Sequence, residues 1–144
     1  MKNKYYTLIS LVLLTAVINI NAAELHVTID HINNDNGTIL AQIFEGPENF
    51  KNGKPKDSAM LSAKTGQATL SFNNLDPGEY VVRMFHDDNN NQKMDSNAFG
   101  MPTEGYAFSN EAIGNMGPPK YKDMVVVITK NDSKVKTKAK MIYL

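Results

Sequence analysis

The stretch Glu79-Tyr80-Val81-Val82-Arg83-Met84-Phe85-His86 decides the fold. Side chains of an extended chain alternate between two faces. Tyr80, Val82 and Met84 fall on one face, with Val81 and Phe85 on the other, so both faces are apolar except at Arg83. Such a run suits a central strand. It enters through Asn73-Asn74-Leu75-Asp76-Pro77-Gly78, a turn in which Pro77 fixes φ and Gly78 is expected at positive φ.

Further strands are expected on either side. Leu25, Val27 and Ile29 alternate with polar residues over 24–30. Asn36-Gly37 then suits a type I′ hairpin turn. Residues 38–44 form the return strand, with Ile39, Ala41 and Ile43 on one face. Residues 45–57 read as loop because Gly46, Pro47, Gly53 and Pro55 interrupt regular structure, with Phe50 expected to tuck back onto the domain. Residues 58–64 fit either a short edge strand or a helical turn, and Ala68, Leu70 and Phe72 mark another strand. Residues 124–128 are a continuous apolar run, read as one buried strand. Finally Val135, Thr137, Ala139, Met141 and Tyr143 alternate with Lys134, Lys136, Lys138 and Lys140. About seven short strands and no convincing helix predict an all-β, antiparallel sandwich or barrel.

The N-terminus reads as a targeting segment over residues 1–23, with a single domain over 24–144. Lys2 and Lys4 precede a 13-residue apolar run, and Ala22-Ala23 supplies small residues before Glu24. That order is a secretory signal peptide, and the run is shorter than the roughly 20 residues of a membrane span. No membrane span is expected after Ala23. Without Lys2 and Lys4 the formal charge is −2, which argues against a nucleic-acid partner. With no cysteine, the domain must rely on packing and on any ion it holds.

Directly after the central strand comes His86-Asp87-Asp88-Asn89-Asn90-Asn91-Gln92-Lys93-Met94-Asp95. Asp87, Asn89, Asn91 and Asp95 stand at positions 1, 3, 5 and 9 of a loop, and Lys93 offers its carbonyl at position 7. Ca²⁺ is wrapped by oxygens at this spacing. Position 6 is Gln92 where glycine is usual, and a left-handed residue there costs about 1 kcal/mol. Position 12 is Ala98, which cannot ligate, so Glu104 is the candidate for the missing carboxylate. Affinity is expected in the range of about 10⁻⁴–10⁻³ M. The plainer alternative is a solvated turn whose Asn and Asp side chains bond their own backbone.

Other candidates are thinner. His86, Asp87 and Glu104 suggest a metal-dependent hydrolase, against the plain reading of His86 as a strand end bonded to loop backbone. Tyr106 and Phe108, near Met101 and Met116, form either an apolar cover or a sugar-stacking platform. The lysine stripe is either a docking strip for anionic glycans or lipids, or a solvated face that discourages edge pairing. No Gly-x-Ser-x-Gly elbow is present.

Several segments together resemble the bacterial "domain of unknown function 2141" family. Leu75-Asp76-Pro77-Gly78-Glu79-Tyr80 is similar to its turn-and-strand motif, where a second proline more often stands at Asp76. His86-Asp87, Asn89, Asn91 and Asp95 match its His-Asp-x-Asn-x-Asn-Gly-x-x-Asp pattern, with Gln92 departing from glycine. Gly100-Met101-Pro102-Thr103-Glu104-Gly105-Tyr106-Ala107-Phe108-Ser109-Asn110 resembles its Gly-x-Pro-x-Glu-Gly-x-Gly-Phe-Ser-Asn segment, with Ala107 replacing a glycine. The resemblance covers about residues 25–144. It implies an exported, immunoglobulin-like or transthyretin-like β-sandwich and implies no activity. The expectation is therefore a non-enzymatic, monomeric, periplasmic or secreted domain with a weak Ca²⁺ loop and a protein or glycan partner. A small-ligand or carbohydrate-binding module is the alternative.

Overall fold

The computed structural model describes residues 22–115 and 117–144. The leader expected over 1–23 lies outside the described residues except for Ala22 and Ala23, and Met116 lies outside them too. Ala23 is the first residue of β1, buried and paired with Leu75.

Eight strands are formed among the described residues: β1 (Ala23–Ile32), β2 (Thr38–Glu45), β3 (Asp57–Ser62), β4 (Gly66–Leu75), β5 (Gly78–Asp87), β6 (Tyr106–Phe108), β7 (Val126–Ile128) and β8 (Lys134–Lys140). They make two sheets. One has the order β4-β1-β8; the other runs β3-β2-β5-β6, with β7 also paired to β5. The expectation of antiparallel pairing fails at one place, since β8 runs parallel to β1 from Glu24↔Lys134 to Asp30↔Lys140. β7 lies in the sheet of β5, so β7 and β8 do not close a hairpin. β8 instead crosses to the other sheet and approaches β1 in the same direction.

One apolar cluster draws on both sheets. Leu25, Val27 and Ile29 of β1, Phe72 of β4 and Ala139 of β8 meet Ile39 and Ile43 of β2 and Tyr80, Val82 and Met84 of β5. Each large aliphatic side chain buried in this way contributes about 1.5–3 kcal/mol. β5 is central, as its two-faced apolar pattern predicts: β2 lies along one edge, β6 and β7 along the other. Alternation in β1 shifts phase at His31, whose φ is +65°, so that Ile32 turns inward again after Ile29. One extra residue in a ladder has this effect.

Two local expectations hold, the packing of Phe50 and the edge strand within 58–64, and the others are corrected. Residues 45–57 contain α1 (Gly46–Lys51), because Pro47 falls in the first helical turn, where no amide partner is lost. Phe50 packs edge-on against Phe44, with ring centroids 5.4 Å apart. The ambiguous 58–64 segment is edge strand β3. The 124–128 run is divided: Met124 ends α2 (Tyr121–Met124), and only Val126–Ile128 joins the sheet. In the turn before β5, Asn74 takes the left-handed conformation (φ +57°) and Gly78 does not. The 33–37 connection is no type I′ turn, since Gly37 has positive φ and Asn36 does not.

A second, smaller cluster covers one end of the outer face of the larger sheet. Val81, Ala112 and Met124 form it, with Phe50, Phe108, Tyr121 and Val125 against them. The other end of that face stays open beside the 87–95 loop.

Candidate functional site

Asp87 closes β5 and is buried at 1% exposure. Its carboxylate accepts N–H bonds from Asn91 (3.0 Å) and Gln92 (2.8 Å), which curls the chain back over the strand end. Asn90 (φ +59°) and Gln92 (φ +61°) take left-handed conformations to make this curl. Gln92 thus adopts the conformation that glycine would take most easily. Asn89 Oδ1 accepts from the Asn91 amide and Asn91 Oδ1 from the Lys93 amide, so the expected local side-chain-to-backbone turns are present.

The spaced oxygen-bearing residues come together. Asn89 Nδ2 donates to Asp95 Oδ2 at 2.7 Å, and Asn91 Nδ2 donates to the same oxygen at 2.9 Å. Asp87 joins them through the Asn91 amide. Each amide oxygen accepts one backbone N–H and keeps a second lone pair. Lys93 is tied to the group by its backbone N–H.

Glu104 reaches back over the loop, as its placement in the sequence suggested, but its oxygens go to backbone amides. Oε1 accepts from Asp88 N (3.1 Å) and Oε2 from Asp95 N (3.0 Å). At 7% exposure it clamps the loop's beginning to its end. Among the described residues, Asp87, Asp95 and Glu104 form no ion pair with any basic group. No three Asp, Glu or His side chains among the described residues cluster tightly enough to hold a metal by themselves. A cation here needs the amide and carbonyl oxygens as well.

Three surrounding elements support the loop. Gly37 lies against the β5 exit: a Cβ on it would sit 1.9 Å from the Asp87 carbonyl oxygen. Thr38 Oγ1 donates to Asn90 Oδ1. His86 is 1% exposed, and both its ring nitrogens are engaged, Nδ1 with the Tyr143 hydroxyl (2.8 Å) and Nε2 with the Asn36 carbonyl (2.7 Å). The plain reading is corrected in its partner: His86 bonds the backbone of the 33–37 connection and the Tyr143 hydroxyl, not the 87–95 loop that follows it. Burial pushes the Tyr143 hydroxyl above its ordinary pKa, so it remains protonated at neutral pH.

The other candidates are placed as follows. Tyr106 and Phe108 are half-buried on β6, edge to face at 6.2 Å. Tyr106 continues a cross-strand row through Phe85, Leu40 and Met60. Leu40, Met60, Phe85, Gln92 and Met94 line a shallow groove of about 330 Å³ there. Phe99 is 92% exposed at the tip of a turn that Asn97 closes. The lysine stripe lies on β8, an edge strand, with Lys134 3.7 Å from Glu24.

Sequence reasoning missed Ser109, Asn110, Gly105 and Tyr143. Ser109 Oγ donates to the Met124 carbonyl and accepts the Val82 amide, both in the interior. Asn110 Nδ2 donates to the Val125 carbonyl while its Oδ1 accepts the Thr137 hydroxyl. For Gly105, Ser109 and Asn110 the signal lay in the Glu104-Gly105 and Ser109-Asn110 motif pairs, whose partners lie far away in sequence; Tyr143 carried none.

The chain matches the model of a bacterial family described as "Uncharacterized protein conserved in bacteria (DUF2141)" over residues 27–136, and it belongs to that family. No curated protein and no solved structure matches it. The match takes in most of both sheets and every residue of the loop. No helix among the described residues is long and apolar enough to cross a membrane.

Proposed function

We propose that this DUF2141 member is an exported, non-enzymatic β-sandwich domain whose 87–95 loop binds Ca²⁺ weakly and is stiffened by it. It serves, as a monomer, a binding or structural role in the envelope or outside the cell. The observation that carries this reading is the state of two carboxylates. Asp87 and Glu104 are buried in one loop, with no basic partner among the described residues. Buried carboxylates are normally paired with a base or a metal. Their backbone N–H donors satisfy hydrogen bonding without supplying a full positive charge.

Asp87, Asn89, Asn91, the Lys93 carbonyl and Asp95 are the ligands in this reading, with Glu104 clamping the loop. An all-oxygen, flexible set suits Ca²⁺ better than Mg²⁺, which keeps several waters. The immunoglobulin-like or transthyretin-like arrangement is supported by the single core shared between the two sheets and by the Tyr80 hydroxyl, which donates to the Asp76 carbonyl upstream. Export is supported by the charged-then-apolar N-terminus; cleavage after Ala23 would remove only the first residue of β1.

Calorimetric titration of the purified domain with CaCl₂ tests the reading. Saturable heat at millimolar Ca²⁺ is expected. Absence of heat would overturn the ion site.

The open row of Met60, Leu40, Phe85 and Tyr106 favours a second reading, a module for small ligands or carbohydrates with stacking faces. A glycan array with Tyr106→Ala as the control tests it; silence on the array counts against it.

A further inference from the structure

The two carboxylates that shape the loop are Asp87 and Glu104, and each is the chain neighbour of a residue that Tyr143 holds. His86 precedes Asp87, and its Nδ1 bonds the Tyr143 hydroxyl at 2.8 Å. Gly105 follows Glu104, and it lies flat against the Tyr143 ring: a Cβ there would sit 2.3 Å from Cε1. The Gly105 carbonyl also accepts the His86 amide at 2.8 Å, so the two held residues are bonded to one another. The C-terminal segment is itself fixed. Ile142 exchanges two backbone hydrogen bonds with Tyr106, at 3.0 and 2.9 Å.

The hydrogen-bond chain fixes the direction of each donor. The Asn36 carbonyl can only accept, so His86 carries its proton on Nε2. In the neutral imidazole Nδ1 then accepts from the Tyr143 O–H, whose oxygen accepts the Asn33 amide at 3.3 Å. The 33–37 connection and the end of β5 thus meet on one hydroxyl, and the approach to β6 lies against the ring that carries it.

From this geometry we infer that Tyr143 is a positioning residue for the cation loop: the C-terminal segment is a clasp that sets the separation of Asp87 and Glu104. It acts through His86 and Gly105 and touches no proposed ligand. The inference concerns the same loop as the proposed Ca²⁺ site, but the clasp itself can be observed without the ion.

The test compares the domain with its Tyr143→Phe variant, which keeps the ring and loses the hydroxyl. Amide hydrogen exchange is followed in peptides covering 87–95 and 38–45, with and without CaCl₂. The 38–45 peptide reports opening of the whole domain, so the ratio of the two isolates the loop even if the variant is less stable. The variant should exchange several-fold faster in 87–95 relative to 38–45, and bind Ca²⁺ about tenfold more weakly, the usual scale for residues that orient ligands. An unchanged ratio would overturn the clasp. A changed ratio in a protein that gives no Ca²⁺ response would uphold the clasp and remove the ion reading alone. Normal Ca²⁺ affinity in a variant with a loosened loop would also count against the inference, because the clasp would then not set the ligand geometry.

Discussion

Two irregular regions separate β5 from β7, and different forces hold them. The first, 87–104, is held by carboxylates on backbone amides: Asp87 on Asn91 and Gln92, Glu104 on Asp88 and Asp95. Most of its side chains between 88 and 101 are exposed. The second, the described residues of 109–125, is held by neutral groups and apolar burial. Ser109 and Asn110 bond interior and edge carbonyls, and Met124 and Ala112 fill the small cluster over Val81. The order of the second region is a property of the packed fold. That of the first depends on charge, and in the proposed reading on an ion. In the proposed reading that difference places the ion in the first region, where two buried carboxylates have backbone donors and, among the described residues, no basic partner.

Breaking the packed region should have the largest effect. Met124→Ala removes a fully buried side chain and should lower stability by about 3 kcal/mol in urea unfolding. Its response to Ca²⁺ should be the same as that of the unaltered protein. A lost Ca²⁺ response would mean that the two regions are coupled and that the comparison fails.

Glu104→Gln comes next. It swaps one acceptor oxygen for an NH₂ group facing a backbone N–H and removes the charge, so stability should fall by about 1.5 kcal/mol. Here the Ca²⁺ response should weaken, the reverse of the Met124 result. Equal Ca²⁺ affinity in this variant would show that the clamp is only structural.

Gln92→Gly should act in the opposite direction. The left-handed backbone at φ +61° is easier for glycine, although glycine has more freedom to lose on folding, so a gain of about 0.5 kcal/mol is expected. A loss of stability would mean that the Gln92 side chain, which lines the groove, outweighs the backbone term.

Lys136→Gln should change least, within about 0.5 kcal/mol, because the side chain is exposed on an edge strand. Aggregation of the variant at unchanged stability would show the stripe acting against edge pairing.

How far the sequence could be read follows the same division. Alternation over 24–30 and the two-faced run over 79–86 identified β1 and the central β5, because burial against a sheet imposes a period of two. The clustering of Asp87, Asn89, Asn91 and Asp95 was also legible, since those contacts lie within a few residues. Contacts across long separations were not. Nothing near Tyr143 announces a bond to His86, 57 residues earlier. Parallel pairing of β8 with β1 depends on where the chain crosses between sheets, which the pattern of β8 alone does not encode. α1 was hidden by Pro47 and Gly46, which break a helix interior and are tolerated at its start. Glu104 was rightly drawn to the loop, but whether its oxygens meet a metal or backbone amides is a matter of ångströms.

The most direct test of the ion reading is thermal unfolding of the purified domain and of Asp95→Ala, each in 10 mM CaCl₂ and in chelator. For a site near 1 mM, the unaltered domain should melt about 5 °C higher with Ca²⁺. Asp95→Ala should melt at the same temperature in both solutions. Identical melting of the unaltered domain with Ca²⁺ and with chelator would contradict the account.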